Sequence, residues 1–160
     1  MKEIINLIEI SPHISTSYHL KDLQRALDQL QTAFFQKKQT FVQTLDQEIP
    51  FPLSETLKKV AVEHEVDLQN TEQVNEFINK LRDELQQIRR LTVSISIQPT
   101  IALIKDINRW IILNLKQVVV LDFTVDPTLI GGAIVEFNGV YKDYSVKHLM
   151  ENQMITASKS

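Results

Sequence analysis

The sequence predicts an α+β protein in which an antiparallel helical bundle is followed by a small α/β domain. Glycine is absent from the first 130 residues, where apolar residues recur every three or four positions, as they do on one face of amphipathic helices. From residue 91 onward, apolar and polar residues alternate, which is the pattern of a half-buried strand. We therefore place a domain boundary near residue 90, with a helical domain over 1–90 and an α/β domain over 91–160.

The helical domain is predicted from apolar spacing and from the residues that end helices. A long amphipathic helix is expected first, and the prolines of the Ile-Pro-Phe-Pro segment at 49–52 end it because proline lacks an amide donor. Asparagine and threonine are favoured caps, so either Asn70 or Thr71 is expected to begin a later helix. The predicted helices cover 4–8, 17–46, 53–64 and a segment that begins at Asn70 or Thr71.

The second domain is predicted in the order strand, helix, strand, strand, strand, helix. Asn138 and Gly139 suit a two-residue hairpin turn, because both central residues of such a turn need a positive φ. The expected strands cover 91–97, 118–125, 133–137 and 140–143, and the helices cover 99–113 and a segment from 146. The residues of the first helix that are expected to face the core are Ile104, Ile107, Trp110 and Ile111.

Composition excludes several classes of function. The chain has no cysteine, which removes disulfides, thiolate metal ligands and thiol nucleophiles. A formal net charge of −3 offers no basic surface for nucleic acid. No apolar run reaches the roughly 18 residues that cross a bilayer, so membrane association is expected only through a partner. The acidic opening segment is unlike a secretory or transit signal, which predicts an unprocessed bacterial protein.

Three groups of residues carry a weak chemical signature, and each has a structural interpretation. His64 lies among acidic residues, but no second histidine stands four residues away, so we interpret the segment as a solvated helix end. Ser145 and His148 lack an orienting carboxylate, which favours a helix surface over a hydrolase. The Gly131-Gly132 pair lacks the lysine of a phosphate loop. No catalytic residue, metal site or cofactor is predicted.

The most informative segment runs from residue 125 to residue 147. It reads Val-Asp-Pro-Thr-Leu-Ile-Gly-Gly-Ala-Ile-Val, then Asn-Gly, then Asp-Tyr-Ser-Val-Lys. An aspartate before a proline is expected to accept backbone amides in a turn, and a glycine pair permits close approach of neighbouring backbone. Asp143 or Ser145 is expected to cap the last helix. The residues of this structural motif are Asp126, Pro127, Leu129, Ile130, Gly131, Gly132, Gly139, Asp143 and Ser145.

This ordered motif resembles the C-terminal signature of the F-type ATP synthase delta subunit, called the oligomycin-sensitivity-conferring subunit in mitochondria. The resemblance covers roughly residues 85–150. It implies a non-catalytic stator subunit of the peripheral stalk that needs no cofactor. It also implies that 1–90 bind the alpha subunits of the catalytic head, that 91–160 bind the stalk b subunits, and that the head is thereby held against rotor torque. The implied location is the cytoplasmic face of the bacterial plasma membrane.

Two features depart from the family pattern. Family members usually carry a longer, six-helix N-terminal bundle, a difference that bears on binding of the alpha subunits. Tyr144 stands where a glycine is common, which matters only if this position needs a positive φ. The alternative function is a non-catalytic helical adaptor that retains the C-terminal fold, favoured by the short bundle and by the Gln-rich helix at 24–47. A small hydrolase using Ser145 and His148 is a third hypothesis.

Overall fold

Helices make up the first half of the chain, and a sheet with two helices makes up the second. The structure is a computed structural model that describes residues 5–36 and 40–157. By spatial proximity the residues fall into two units, Met1–Ile88 and Arg89–Ser160. The predicted α+β class is confirmed. The elements are a 3₁₀ helix Ser11–His13, α1 Ser17–Gln36, α2 Phe41–Glu48, α3 Leu53–Glu63, α4 Thr71–Gln86, β1 Arg89–Ile95, α5 Ile101–Leu115, β2 Val119–Val125, β3 Ala133–Phe137, β4 Val140–Asp143 and α6 Val146–Ala157.

The single helix predicted over 17–46 is in fact two helices, α1 and α2. Thr40 precedes α2 in an extended conformation, and its hydroxyl accepts a hydrogen bond of 3.3 Å from the amide of Gln43. In return the Gln43 side chain accepts one of 3.3 Å from the Thr40 amide. This capping box satisfies amides at the start of α2, so α2 begins at Phe41 as a separate helix and packs on α1.

The start of the chain also differs from its prediction. Within the expected helix at 4–8, Ile4 lies outside the described residues, and the following residues do not form a helix. Residues 7–10 form turns that lead into the 3₁₀ helix, which has proline in its first turn. Proline is tolerated at this position, because the first amides of a helix have no acceptor within it.

The first unit buries one apolar face from each of its helices. Asn70 caps α4 as predicted, because its side chain accepts hydrogen bonds from the amides of Glu72 and Gln73. Because these faces pack together inside the unit, the opposite, polar faces of the helices are turned to solvent. The largest fully buried side chains of the unit are Ile10, Ile14, Leu27, Leu30, Phe41, Leu45, Ile49, Leu57, Phe77, Ile78, Leu81 and Leu85.

The second unit is built on a four-stranded sheet with the order β2-β1-β3-β4. The central strand β1 pairs in parallel with β2 and antiparallel with β3, and β4 pairs antiparallel with β3. The predicted order of strand, helix, strand, strand, strand, helix is confirmed. Asn138 and Gly139 form the β3–β4 turn with φ values of 51° and 76°, so both adopt the left-handed conformation that the hairpin needs.

Helix α5 covers one face of this sheet. Thr100 caps it by accepting a hydrogen bond of 3.2 Å from the Leu103 amide. Ile111 faces the core as predicted, but the prediction for Trp110 is wrong, because its side chain is 59% exposed. One residue corresponds to about 100° around a helix, which carries Trp110 outside the inward arc. The core cluster consists of Ile111, Val119 and Leu121, with Leu91, Ile104, Ile107, Phe123 and Phe137 packed against it.

Candidate functional site

The turn that follows β2 is organised by Asp126. Its carboxylate accepts hydrogen bonds from the hydroxyl and the amide of Thr128, at 2.6 and 2.9 Å. Both bonds stabilise the charged carboxylate and so hold the pKa of Asp126 below its ordinary value; the bond from the Thr128 hydroxyl has the larger effect. The amide of Asp126 donates to the carbonyl of Ile95 at 2.8 Å. The turn is therefore tied to the end of the central strand.

Gly132 lies where the chain approaches the segment that precedes α6. A Cβ atom on this residue would meet the carbonyl oxygen of Tyr144 and the Cα of Ser145, and its φ of +79° is left-handed. At Gly131 a Cβ would lie 3.3 Å from Cγ2 of Val146, whose amide donates to the Gly131 carbonyl at 3.0 Å. The glycine pair therefore serves as a backbone packing site for the start of α6, and a phosphate-binding role is not needed to explain it.

Asp143 and Ser145 together form the start of α6. The Asp143 carboxylate accepts a hydrogen bond of 2.7 Å from the Ser145 amide, and the Ser145 hydroxyl accepts one of 3.2 Å from the His148 amide. Hydrogen bonds from Ser145 hold the pKa of Asp143 below its ordinary value, with a larger effect from the hydroxyl than from the amide. Ser145 is buried, not on the helix surface as expected. Its contact with His148 is a helix cap, not a nucleophile–base pair.

The structure divides the predicted motif among three places. The glycine pair lies against the start of α6, the turn at Asp126 is tied to the end of β1, and Gly139 lies in the hairpin turn with no other atoms near the position of a Cβ. Leu129 is partly buried, but Ile130 is 80% exposed. The glycine pair, Asp143 and Ser145 thus anchor the start of α6, and the Ile130 side chain is exposed to solvent.

The position of Tyr144 shows why a side chain is accepted there. Its φ is not positive, so the replacement of the glycine common in the family introduces no backbone strain. The Tyr144 side chain is 53% exposed. An aromatic ring is thereby added to the surface beside β4.

The segment around His64 is the end of α3 and its acidic residues are exposed, as expected, but His64 itself is buried, so the prediction is wrong for the histidine. The reason is that Glu65 adopts a left-handed φ of 58° and the amide of Val66 donates to the carbonyl of Ala61 at 3.0 Å, which turns the chain inward after α3. Within residues 5–36 and 40–157, no group of three or more histidine or acidic side chains is placed to hold a metal ion. The acidic neighbours of His64 therefore do not form a ligand set.

The second unit carries many exposed apolar side chains, which the apolar spacing of the sequence does not predict, since that spacing places Trp110 in the core. They lie on two helices and on both faces of the β3–β4 hairpin, and exposed apolar side chains of this kind are common where another protein binds. The available signal was that α5 carries apolar residues on more than one face, which exceeds what a single core contact uses. The exposed residues include Leu103, Trp110 and Leu113 on α5, Val140 and Tyr141 on β4, and Leu149, Met150 and Met154 on α6.

Comparison with protein families agrees with the motif and with the order of elements. The family model described as ATP synthase delta (OSCP) subunit matches residues 14–154. The chain belongs to this family. No curated protein matches the sequence. Members of the delta (OSCP) family are non-catalytic peripheral-stalk subunits of ATP synthase and associate with its other subunits, so the predicted family and the predicted lack of catalysis are confirmed.

The match to the delta (OSCP) family extends beyond the motif. The sequence resemblance rested on residues 85–150, whereas the family model also covers most of the helical unit. Among the described helices, none has the length and apolar character that crossing a membrane requires.

Proposed function

We propose that this delta-family chain links the catalytic head of a rotary ATP synthase to the peripheral stalk and resists rotor torque. The observation that carries the proposal is the set of exposed apolar side chains on α5, α6 and the β3–β4 hairpin of the second unit. A stator must hold its partners through extended contacts, and such contacts need wide apolar surfaces. We further propose that the units act as two binding domains, over 1–90 and 91–160.

The second domain, in this proposal, holds the b subunits of the stalk. Met150 and Met154 lie on one side of α6, because residues four positions apart on a helix are near neighbours, and the exposed Leu149 lies about 100° around the helix from Met150. Methionine adapts its shape to a partner, and an apolar helix face is a common docking mode for another helix. The motif at Gly131 and Gly132 fixes the start of α6, so that this face is presented in a defined direction.

The first domain, in this proposal, binds the alpha subunits of the head. A groove of about 300 Å³ lies between α1 and the loop before α3. Its lining includes Leu23 and Ala26 of α1 and the highly exposed ring of Phe51. Exposed aromatic rings beside a groove provide the large contact areas that protein interfaces favour. The short bundle therefore still carries a surface suited to a protein segment.

Location follows from the same assignment. We propose that the chain is peripheral on the cytoplasmic face of a bacterial plasma membrane and reaches the membrane only through its partners. The acidic balance of the chain gives no support for a nucleic-acid partner.

Co-purification tests the proposal directly. A tagged full chain is expected to recover both alpha and b subunits from gently solubilised membranes. Recovery of neither would defeat the proposal and would favour the alternative of a free-standing helical adaptor. Gene neighbourhood provides an independent check, since stator subunits are normally encoded among their partners.

Removal of α6 separates the two halves of the proposal. A chain that lacks residues 145–160 is expected to lose the b subunits while it retains the alpha subunits. ATP hydrolysis by the released head should continue, because the chain supplies no catalytic group. Loss of alpha subunits together with b subunits would contradict the division of roles between the domains.

A further inference from the structure

A groove of about 290 Å³ lies on one face of the β3–β4 hairpin. The pairing register places Val135 opposite Lys142 and Phe137 opposite Val140, so these four side chains point to the same face of the sheet. Phe137 also packs against the core cluster beneath α5, which identifies this face as the one that α5 covers. The groove is lined by Val135, Phe137, Asn138, Val140, Lys142 and Tyr144.

Helix α5 leaves this half of the face open. It packs on β2, which is the edge of the sheet opposite to β4. As a result, Val140 in β4 is 58% exposed, and Tyr144, which directly follows β4, is 53% exposed. A partner that covers such apolar surface removes it from water, which stabilises the complex.

Lys142 gives the groove a positive charge. Within the part of the chain that the structure describes, no ion pair involves this lysine. Both acids of the hairpin point to the other face, since Glu136 stands opposite Tyr141 and Asp143 stands opposite Ile134. The groove therefore combines an apolar floor with a single ammonium group.

We propose that this groove binds an acidic amphipathic segment of another ATP synthase subunit. Apolar side chains of the segment lie against Val135, Phe137 and Val140, and one of its carboxylates pairs with Lys142. Charge complementarity selects this occupant, because a basic segment would be repelled by the lysine. A second copy of this chain that docks groove to groove would bring two Lys142 side chains together. The inference rests on the proposed function, which supplies the neighbouring subunits.

Photo-crosslinking in the assembled complex identifies the occupant. Val140 is replaced by benzoylphenylalanine in the full chain, the complex is irradiated, and the crosslinked peptide is sequenced by mass spectrometry. The expected product joins the groove to a segment of another subunit that carries an acidic residue within one helical turn of its apolar contacts. Crosslinks only within this chain, to a second copy, or to a segment without acidic residues would overturn the proposal.

Substitution of Lys142 measures the charge contribution. Lys142→Glu is expected to weaken retention of the tagged chain on the complex by about tenfold, and Lys142→Gln by less, whereas Lys142→Arg retains binding. Lys105→Glu, an exposed position on α5 with the same change in charge, is the matched control and should bind like the unaltered chain. Circular dichroism checks that each variant is folded.

The outcomes distinguish the groove from the broader function. If the unaltered chain recovers alpha and b subunits but Lys142→Glu binds as tightly as Lys105→Glu, the groove proposal is overturned and the stator proposal stands. If the unaltered chain recovers neither subunit, the stator proposal itself is overturned, and the groove proposal falls with it.

Discussion

The backbone carbonyl oxygen of Tyr144 occupies the space that a Cβ atom on Gly132 would need. A side-chain atom in this place could rotate away from the added Cβ. The obstacle is instead a main-chain carbonyl, whose position is fixed by the hairpin before it and by α6 after it. Gly132 also adopts a φ of +79°, which disfavours any residue with a side chain. Two independent requirements for glycine thus coincide at this position.

A series of glycine substitutions separates these two requirements. Gly132→Ala is expected to lower the free energy of unfolding by about 3 kcal/mol or more, because it combines backbone strain with a steric clash. Gly139→Ala has the strained φ of +76° but open space, so about 1 kcal/mol is expected. Gly131→Ala meets only the Val146 side chain and should cost least. Urea unfolding measures all three, and equal losses would contradict the explanation.

Acidification is expected to loosen the start of α6 through Asp143. Its pKa is lowered in the folded state, so the unfolded chain binds a proton more readily. The stabilising contribution is therefore present above about pH 4 and is lost as the pH falls through the folded pKa. Thermal unfolding of Asp143→Asn should differ from the unaltered chain at pH 6, and this difference should shrink below about pH 4. A difference that persists undiminished to pH 2 would refute the role of the carboxylate.

Arg82 joins α4 to α1 and is expected to stabilise the bundle. Its guanidinium lies 2.8 Å from the carboxylate of Asp28 and donates to the Gln31 side chain at 3.0 Å. Arg82→Lys should cost about 1 kcal/mol, because lysine cannot reproduce the planar fork. The control is Arg25→Lys, an exposed pair with Asp22 inside one helix, which should change stability by only a few tenths of a kcal/mol. A double-mutant cycle with Asp28→Ala reports the coupling, and zero coupling would exclude the link.

Ile111 and Trp110 are neighbours in sequence but have opposite environments. Ile111→Ala is expected to lower the free energy of unfolding of the second unit by about 3 kcal/mol, since it leaves a cavity in the core. Trp110→Ala should cost less than about 1 kcal/mol because the side chain is exposed. Trp110 is the only tryptophan, so its fluorescence should be that of a solvated indole. A large loss of stability in Trp110→Ala would place it in the core after all.

The strand pattern of the second unit was predictable because local chemistry determines it. Asn138 and Gly139 specify the hairpin turn, and the residue ranges of β3 and β4 match the prediction. β1 lies two residues earlier than expected, since pairing with β2 begins at Arg89 rather than where apolar alternation begins. Alternation reports which residues face inward, whereas the ends of a strand are set by its partners.

The errors have a common physical origin, which is that apolar spacing alone does not specify what covers an apolar face. Leu30 and Leu45 keep helical spacing across α1 and α2, so the spacing predicts one helix although the capping box at Thr40 begins a second. Trp110 has core spacing but its side chain is exposed. His64 is buried because Glu65 adopts a left-handed conformation. Such a conformation is usually predicted from a glycine, and the sequence has none at this position.

The entry of the chain into the sheet has a mechanical consequence. α4 ends at Gln86 and β1 begins at Arg89, so only two residues separate the bundle from the central strand. That strand is paired on both sides, over seven positions with β2 and five with β3. The hydrogen bonds of a sheet run across its strands, so tension applied along β1 shears both ladders at once instead of unzipping one bond after another. A pull on this junction would therefore act on two ladders of hydrogen bonds together.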